Sequence, residues 1–162
     1  MRQTRVDSEV KLYIQRSENK LILARATFDL STNDKSKDAM GIPKDKTFFN
    51  DVISEAYFSI FYAAKAVLAA KGIKTRPPEE HKKTYEELKK LAEMGVFDKK
   101  LLEIYEEETL KAETLLNIFF TEKRKRGIFT YHVKSEANIP YAKESLDNAK
   151  VFLAAMNGLA NK

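Results

Sequence analysis

The run Glu122-Lys123-Arg124-Lys125-Arg126-Gly127-Ile128-Phe129-Thr130-Tyr131-His132 brings charge, aromatic rings and an imidazole into one short stretch. Arginine presents a fixed fork of donors that holds a phosphate bidentately, and histidine is the side chain best matched to proton transfer near neutral pH. Arg126 and His132 together have the chemistry to cleave RNA without a metal. The imidazole would deprotonate the 2′-hydroxyl while the guanidinium stabilises charge building on the phosphorus oxygens. Lys123, Arg124 and Lys125 would add phosphate contacts, and Tyr131 or Phe129 would stack an unpaired base.

Geometry sets a condition on that chemistry. Six residues of uninterrupted α-helix rotate by about 600°, so Arg126 and His132 would point roughly 120° apart. A break at Gly127, or a second subunit, is needed to bring them together. Lys125 and His132, by contrast, share a helical face, as do Glu122 and Arg126. The plainer alternative for the same residues is a basic helix end facing its own macrodipole, with Glu122 and Arg126 paired on the surface and His132 capping a loop.

Other chemistries find less to rest on. Neither His81 nor His132 belongs to a cluster of histidines and carboxylates at helical spacing, so no metal site is expected. The glycines are isolated, so no phosphate-cradling loop and no nucleotide or redox cofactor is expected. No serine sits in a glycine-flanked elbow. His81, which follows Arg76-Pro77-Pro78-Glu79-Glu80 near a helix start, is most simply an exposed or capping histidine.

A chain of 162 residues without cysteine is expected to be one domain, residues 1–162, able to bury roughly 70% of its unfolded surface without disulfides. The N-terminal MRQTRVDSEVKLYIQ is charged throughout, and no apolar run is read as a membrane span. A soluble, cytoplasmic protein with no membrane partner is therefore expected. Charged residues make up 33% of the chain and the net charge is +5, a mild basic excess that permits nucleic acid as a partner without demanding it.

The elements that must position this chemistry are helices. Val10, Tyr13, Ile14, Leu21, Leu23, Ala24 and Phe28 recur at helical spacing and predict a first helix over about 6–30. Residues 31–46, STNDKSKDAMGIPKDK, lose that periodicity and predict a long loop, ordered at its ends and mobile in the middle. The central run Phe48 to Gly72 is apolar around much of its circumference and predicts the core helix, with Thr47 or Asn50 as cap and Gly72 as left-handed stop. Paired Pro77 and Pro78 predict the start of the next helix, which Met94-Gly95 ends. Asp98 is placed to cap a further helix running to about Arg126, and Pro140 to Met156 predicts the last, with Gly158 beyond its end. No segment alternates with a period of two. The expected fold is all-α, an up-and-down bundle of four to five helices without a sheet.

Within the central helix, EAYFSIFYAAKAVLAAKGI, Glu55 to Ile73, resembles the signature helix of the HEPN superfamily, named for higher eukaryotes and prokaryotes nucleotide binding. The Lys, Leu and Ala of the first helix, and the turn Lys74-Thr75-Arg76-Pro77-Pro78-Glu79-Glu80-His81, sit in the order that family shows, so the resemblance spans about residues 9–157, with 33–46 as an insertion. The resemblance implies a helical bundle, often a homodimer. Ribonuclease members carry an arginine, four to six residues and then a histidine, shared across the dimer. Arg126 and His132, with five residues between them, match that spacing. Gly127 departs from the polar residue usual after the arginine, and Lys134 from the tyrosine that some members place two after the histidine. The implied activities are a toxin-type RNA endonuclease, or a non-catalytic module that binds a nucleotide or a nucleotidyltransferase antitoxin. In the second case Arg126 and Tyr131 are structural and His132 is incidental.

Overall fold

Alanine, leucine and spaced aromatics make the central run a good helix former, and it folds as one helix over Phe49–Ala70. The structure is a computed structural model that describes residues 2–116 and 139–161. In chain order the helices are α1 (Arg2–Thr32), α2 (Asp34–Ala39), α3 (Phe49–Ala70), α4 (Glu80–Glu93), α5 (Lys99–Leu116) and α6 (Ile139–Ala160). No strand occurs among the described residues, and the all-α bundle is the observed architecture.

Helix α3 is the axis. Fifteen of its 22 residues are buried, from Phe49 through Ala69. It packs most extensively against α1, then against α6 and α5, and least against α4, whose first residues meet Tyr57, Phe61 and Lys65. These neighbours bury most of α3 within the chain, while Phe58 and Tyr62 on its remaining side are half-buried. The fit with α1 is close because Ser17 and Ser59, both fully buried, meet across the interface. The Ser17 hydroxyl donates to the Ser59 carbonyl at 2.6 Å, and the Ser59 hydroxyl donates to the Ser17 carbonyl at 2.9 Å. These two reciprocal bonds satisfy polar groups that burial would otherwise penalise.

Several boundaries differ from the expected ones for identifiable reasons. Residues 31–46 are not a bare loop: the Asn33 side chain accepts from the Lys35 and Ser36 amides and starts the short α2. Lys37 then turns inward, donating to the Lys44 carbonyl at 2.7 Å. Neither Thr47 nor Asn50 caps α3. The Phe48 amide instead donates to the Ser31 hydroxyl, 2.7 Å away at the end of α1. Pro77 and Pro78 lie ahead of α4 rather than at its first position, and Glu79, with φ of 57°, makes the entry turn. Gly158 lies inside α6. Leu23, one of the apolar residues whose spacing predicts α1, is 47% exposed.

Other stops are as expected: Gly72 and Gly95 adopt φ of 75° and 78°, and the following Ile73 and Val96 amides return to Leu68 and Leu91. Asp98 accepts from the Lys100 amide at the start of α5. Phe49–Ala70 is, by length and composition, apolar enough to cross a membrane, contrary to the expectation that no run would be, because its alanines raise the mean hydropathy to 1.3. In the fold, 78% of that stretch is buried inside the bundle.

Candidate functional site

Lys123, Arg124, Lys125, Arg126, Tyr131 and His132 lie outside the described residues. The helices on either side of them, α5 and α6, are both in contact with α3. Among the described residues, three other groups of polar side chains come together, two along α3 and one between α5 and α6.

The first group surrounds Lys65. A lysine in the middle of an alanine-rich helix would normally be expelled to solvent, yet Lys65 is only 6% exposed. Its ammonium forms an ion pair with Glu80 at the start of α4 and donates to the Thr75 carbonyl at 2.9 Å. It also lies 5.1 Å from the Tyr13 ring centre and 5.9 Å from that of Phe61. Burying the charge is tolerable because each remaining donor direction meets a carboxylate, a carbonyl or a ring face.

Next to Glu80, His81 is half-buried rather than free. Its imidazole stacks on Phe61 with ring centres 4.2 Å apart, and Nδ1 lies 2.7 Å from the Tyr57 hydroxyl. Burial lowers the pKa of His81 and nearby Lys65 adds to the effect, against the opposing pull of Glu80. Burial also raises the pKa of Tyr57. Around neutral pH the pair is thus an uncharged hydrogen-bonded unit, which fits a packing role better than proton transfer.

A second feature runs along the seam of α1 and α3. Tyr13, Arg16, Ser17 and Lys20 share one face of α1 and oppose Glu55, Phe58, Ser59 and Tyr62 on α3. Tyr13 and Tyr62 lie nearly parallel, centres 6.3 Å apart, and Phe58 continues the row 6.3 Å beyond Tyr62. The Arg16 guanidinium sits 5.6 Å from the Tyr62 ring centre, and Lys20 sits 5.4 Å from that of Phe58 while pairing with Glu55 at 2.8 Å. At the Tyr13 end the seam opens into a polar cleft of about 90 Å³ lined by Glu9, Lys65, Lys74, Thr75 and Arg76 among others. Lys74 is paired with Glu9 at 3.0 Å.

A third group joins α5 to α6. Lys111 lies 2.9 Å from Glu108 and 2.7 Å from Glu144, with Glu107 at 4.0 Å. The three carboxylates are close enough together to hold a cation, and the lysine ammonium is the cation among them. Asn148 donates to the same Glu108 oxygen at 3.1 Å. The proton that Glu107 shares with Glu144, helped by burial, pushes the Glu107 carboxyl up to about 7 and holds Glu144 low. Burial works against the charge on Lys111, but Glu108 and Glu144 outweigh it and raise its pKa.

No protein-family model matches the chain, and no curated protein matches it. The site must therefore be judged on its own chemistry. Sequence reasoning passed over Lys65, although a charge among Ala63, Ala64 and Ala66 on a helix apolar almost all round was a usable signal of a buried ion pair. It also passed over the seam. Tyr13, Arg16 and Lys20 at spacings of three and four mark one helical face, but only the antiparallel contact with α3 supplies the opposing rings. His81 gave no sign of its stacking on Phe61, which depends on how α4 enters the bundle.

Proposed function

We propose that the chain is a HEPN-like, metal-independent endoribonuclease of toxin type, in which Arg126 grips the scissile phosphate and His132 carries out acid–base catalysis. Lys123, Arg124 and Lys125 hold flanking phosphates, Tyr131 stacks a base, and two copies form the working dimer in the cytoplasm. The observation that carries the reading is the spacing of Arg126 and His132, five residues between them, in an all-α bundle built on the run Glu55 to Ile73. Attachment of the motif's flanking helices to α3 supports it further, because a catalytic segment needs ends fixed to a rigid core.

The test is incubation of wild type, Arg126→Ala and His132→Ala with structured and unstructured RNA in EDTA. Cleavage by wild type should fall by about 10²- to 10⁴-fold on losing the imidazole, the usual worth of a general acid or base. Equal cleavage by His132→Ala ends this reading.

The second reading is a non-catalytic module that binds a nucleotide or a nucleotidyltransferase. What favours it is the ring-and-cation seam of α1 and α3, which lies on the described part of the chain and needs no imidazole. Co-purification of a co-expressed nucleotidyltransferase, with no RNA cleavage by wild type, would decide for it.

A further inference from the structure

We infer that the seam between α1 and α3 is a binding track for single-stranded RNA, bases stacking on the Tyr13, Tyr62 and Phe58 row and phosphates meeting Arg16 and Arg76. The inference rests on the ribonuclease reading and deepens it by placing substrate contacts on the described bundle.

Three observations converge on it. Tyr13, Phe58 and Tyr62 are each half-buried, so part of every ring reaches solvent. A row of rings about 6.3 Å apart offers successive π-faces to successive bases, and such stacking tolerates any sequence. Charge follows the row. Lys20, Lys65 and Lys74 are already neutralised by Glu55, Glu80 and Glu9. Exposed Arg16, beside the Tyr13 and Tyr62 rings, and exposed Arg76, which lines the cleft with Tyr13, have no carboxylate within ion-pair distance among the described residues. Arg76 lines the polar cleft into which the row opens, and a cleft of about 90 Å³ is of a size for a phosphate group rather than a whole nucleotide.

The geometry thus separates base positions from phosphate positions, as a strand requires. Arg16 and Arg76, without carboxylate partners among the described residues, suit a partner of opposite charge. An RNA strand supplies the opposite charge.

The experiment uses the full chain in the His132→Ala background, so that RNA stays intact, and measures fluorescence anisotropy of a labelled ten-nucleotide uridine strand over a salt series. The double change Arg16→Gln and Arg76→Gln should weaken binding by about tenfold or more and flatten the dependence of log affinity on log salt by about 1.4, two single-strand phosphate contacts. Tyr62→Leu should weaken binding about fivefold to a hundredfold, the usual worth of one stacked base, while Tyr62→Phe keeps most of it. Lys143→Ala, 61% exposed on α6, serves as control and should change nothing.

Three results would overturn the inference: unchanged affinity and salt slope in the double variant, equal loss in the Lys143 control, or uridine monophosphate binding as tightly as the strand. Loss of self-association instead of RNA affinity in the double variant would assign the seam to a second copy and overturn it as well. The ribonuclease reading fails separately. Wild type that does not cleave RNA, alongside strand binding that depends on Arg16, Arg76 and Tyr62, removes the activity and leaves the track. Wild type that cleaves, with an unchanged KM in the double variant, removes the track and leaves the activity.

Discussion

Lys65 and Lys111 are both lysines drawn into the interior of the bundle and held by glutamates, but their surroundings differ in composition. Lys65 meets one carboxylate, one carbonyl and two aromatic rings, so its neighbourhood is close to electrically balanced. Lys111 meets Glu108 and Glu144 with Glu107 just beyond, so carboxylates outnumber the cation and one of them takes up a proton. A buried lysine can therefore be accommodated by polarisable rings or by excess negative charge. The two solutions should differ in how strongly they respond to mutation and in how they respond to pH.

The largest expected contrast comes from removing each ammonium. Lys111→Met strands Glu108, which is fully buried, without its counter-charge, and breaking a buried pair in this way costs about 3–5 kcal/mol. Lys65→Met should cost less, about 1–2 kcal/mol, because Glu80 is 29% exposed and regains water when its partner is lost. Urea denaturation of the two variants checks both figures. Adding Glu108→Leu to Lys111→Met should restore much of the loss, since apolar replacement of a buried pair is often neutral or better. If the two single variants lost equal stability, the contrast drawn between the junctions would fail.

The pH response should be smaller. The Glu107 carboxyl is pushed up to about 7 in the fold, against 4.5 when unfolded. It therefore binds its proton more tightly when folded, and its contribution is full below about 4.5 and is lost as pH rises to about 7. Its side chain is 51% exposed, so solvent screening holds the effect below about 1 kcal/mol. His81 acts in the other sense. Its lowered pKa gives stability above the unfolded value of 6.5 that is lost as pH falls through the folded value. Thermal melts from pH 4.5 to 8 should show Glu107→Gln stabilised relative to wild type toward the upper end. His81→Gln should remove the decline toward the lower end. A profile unchanged by either substitution would contradict the assigned causes.

Much of the bundle was legible from apolar spacing. The burial of Ala56, Tyr57, Ile60 and Ala64 follows from their recurrence on α3, and the turns at Gly72 and Gly95 follow from the need for a left-handed residue. Asn33 carried a cap signal that the surrounding Ser, Asp and Lys obscured, which is why α2 emerged from a stretch read as loop. The Ser31 cap on the Phe48 amide joins residues on two different helices, and local sequence contains no trace of such a partner. Pro77 and Pro78 misplaced the start of α4 because Glu79 takes the unusual left-handed conformation between them and the helix.

The candidate residues divide along the same line. Arg126 and His132 could be named because their residue types allow acid–base chemistry on RNA and their spacing matches the one that the HEPN resemblance implies. The track on α1 and α3 could not, because it is made of two half-sites from segments more than forty residues apart in the chain.

The sequence by itself determined that the protein is helical and which helix lies at its centre, since hydrophobic periodicity is a local property written in every turn. It also supplied each ingredient of the later sites: a lysine among alanines, glutamates in excess on α5, rings and cations at helical intervals. Only the tertiary structure decided which of these meet. Ion pairing, stacking and the shift of a carboxyl pKa all depend on distances of a few ångströms between separate helices, and those distances are fixed by packing, through contacts such as Ser17 on Ser59.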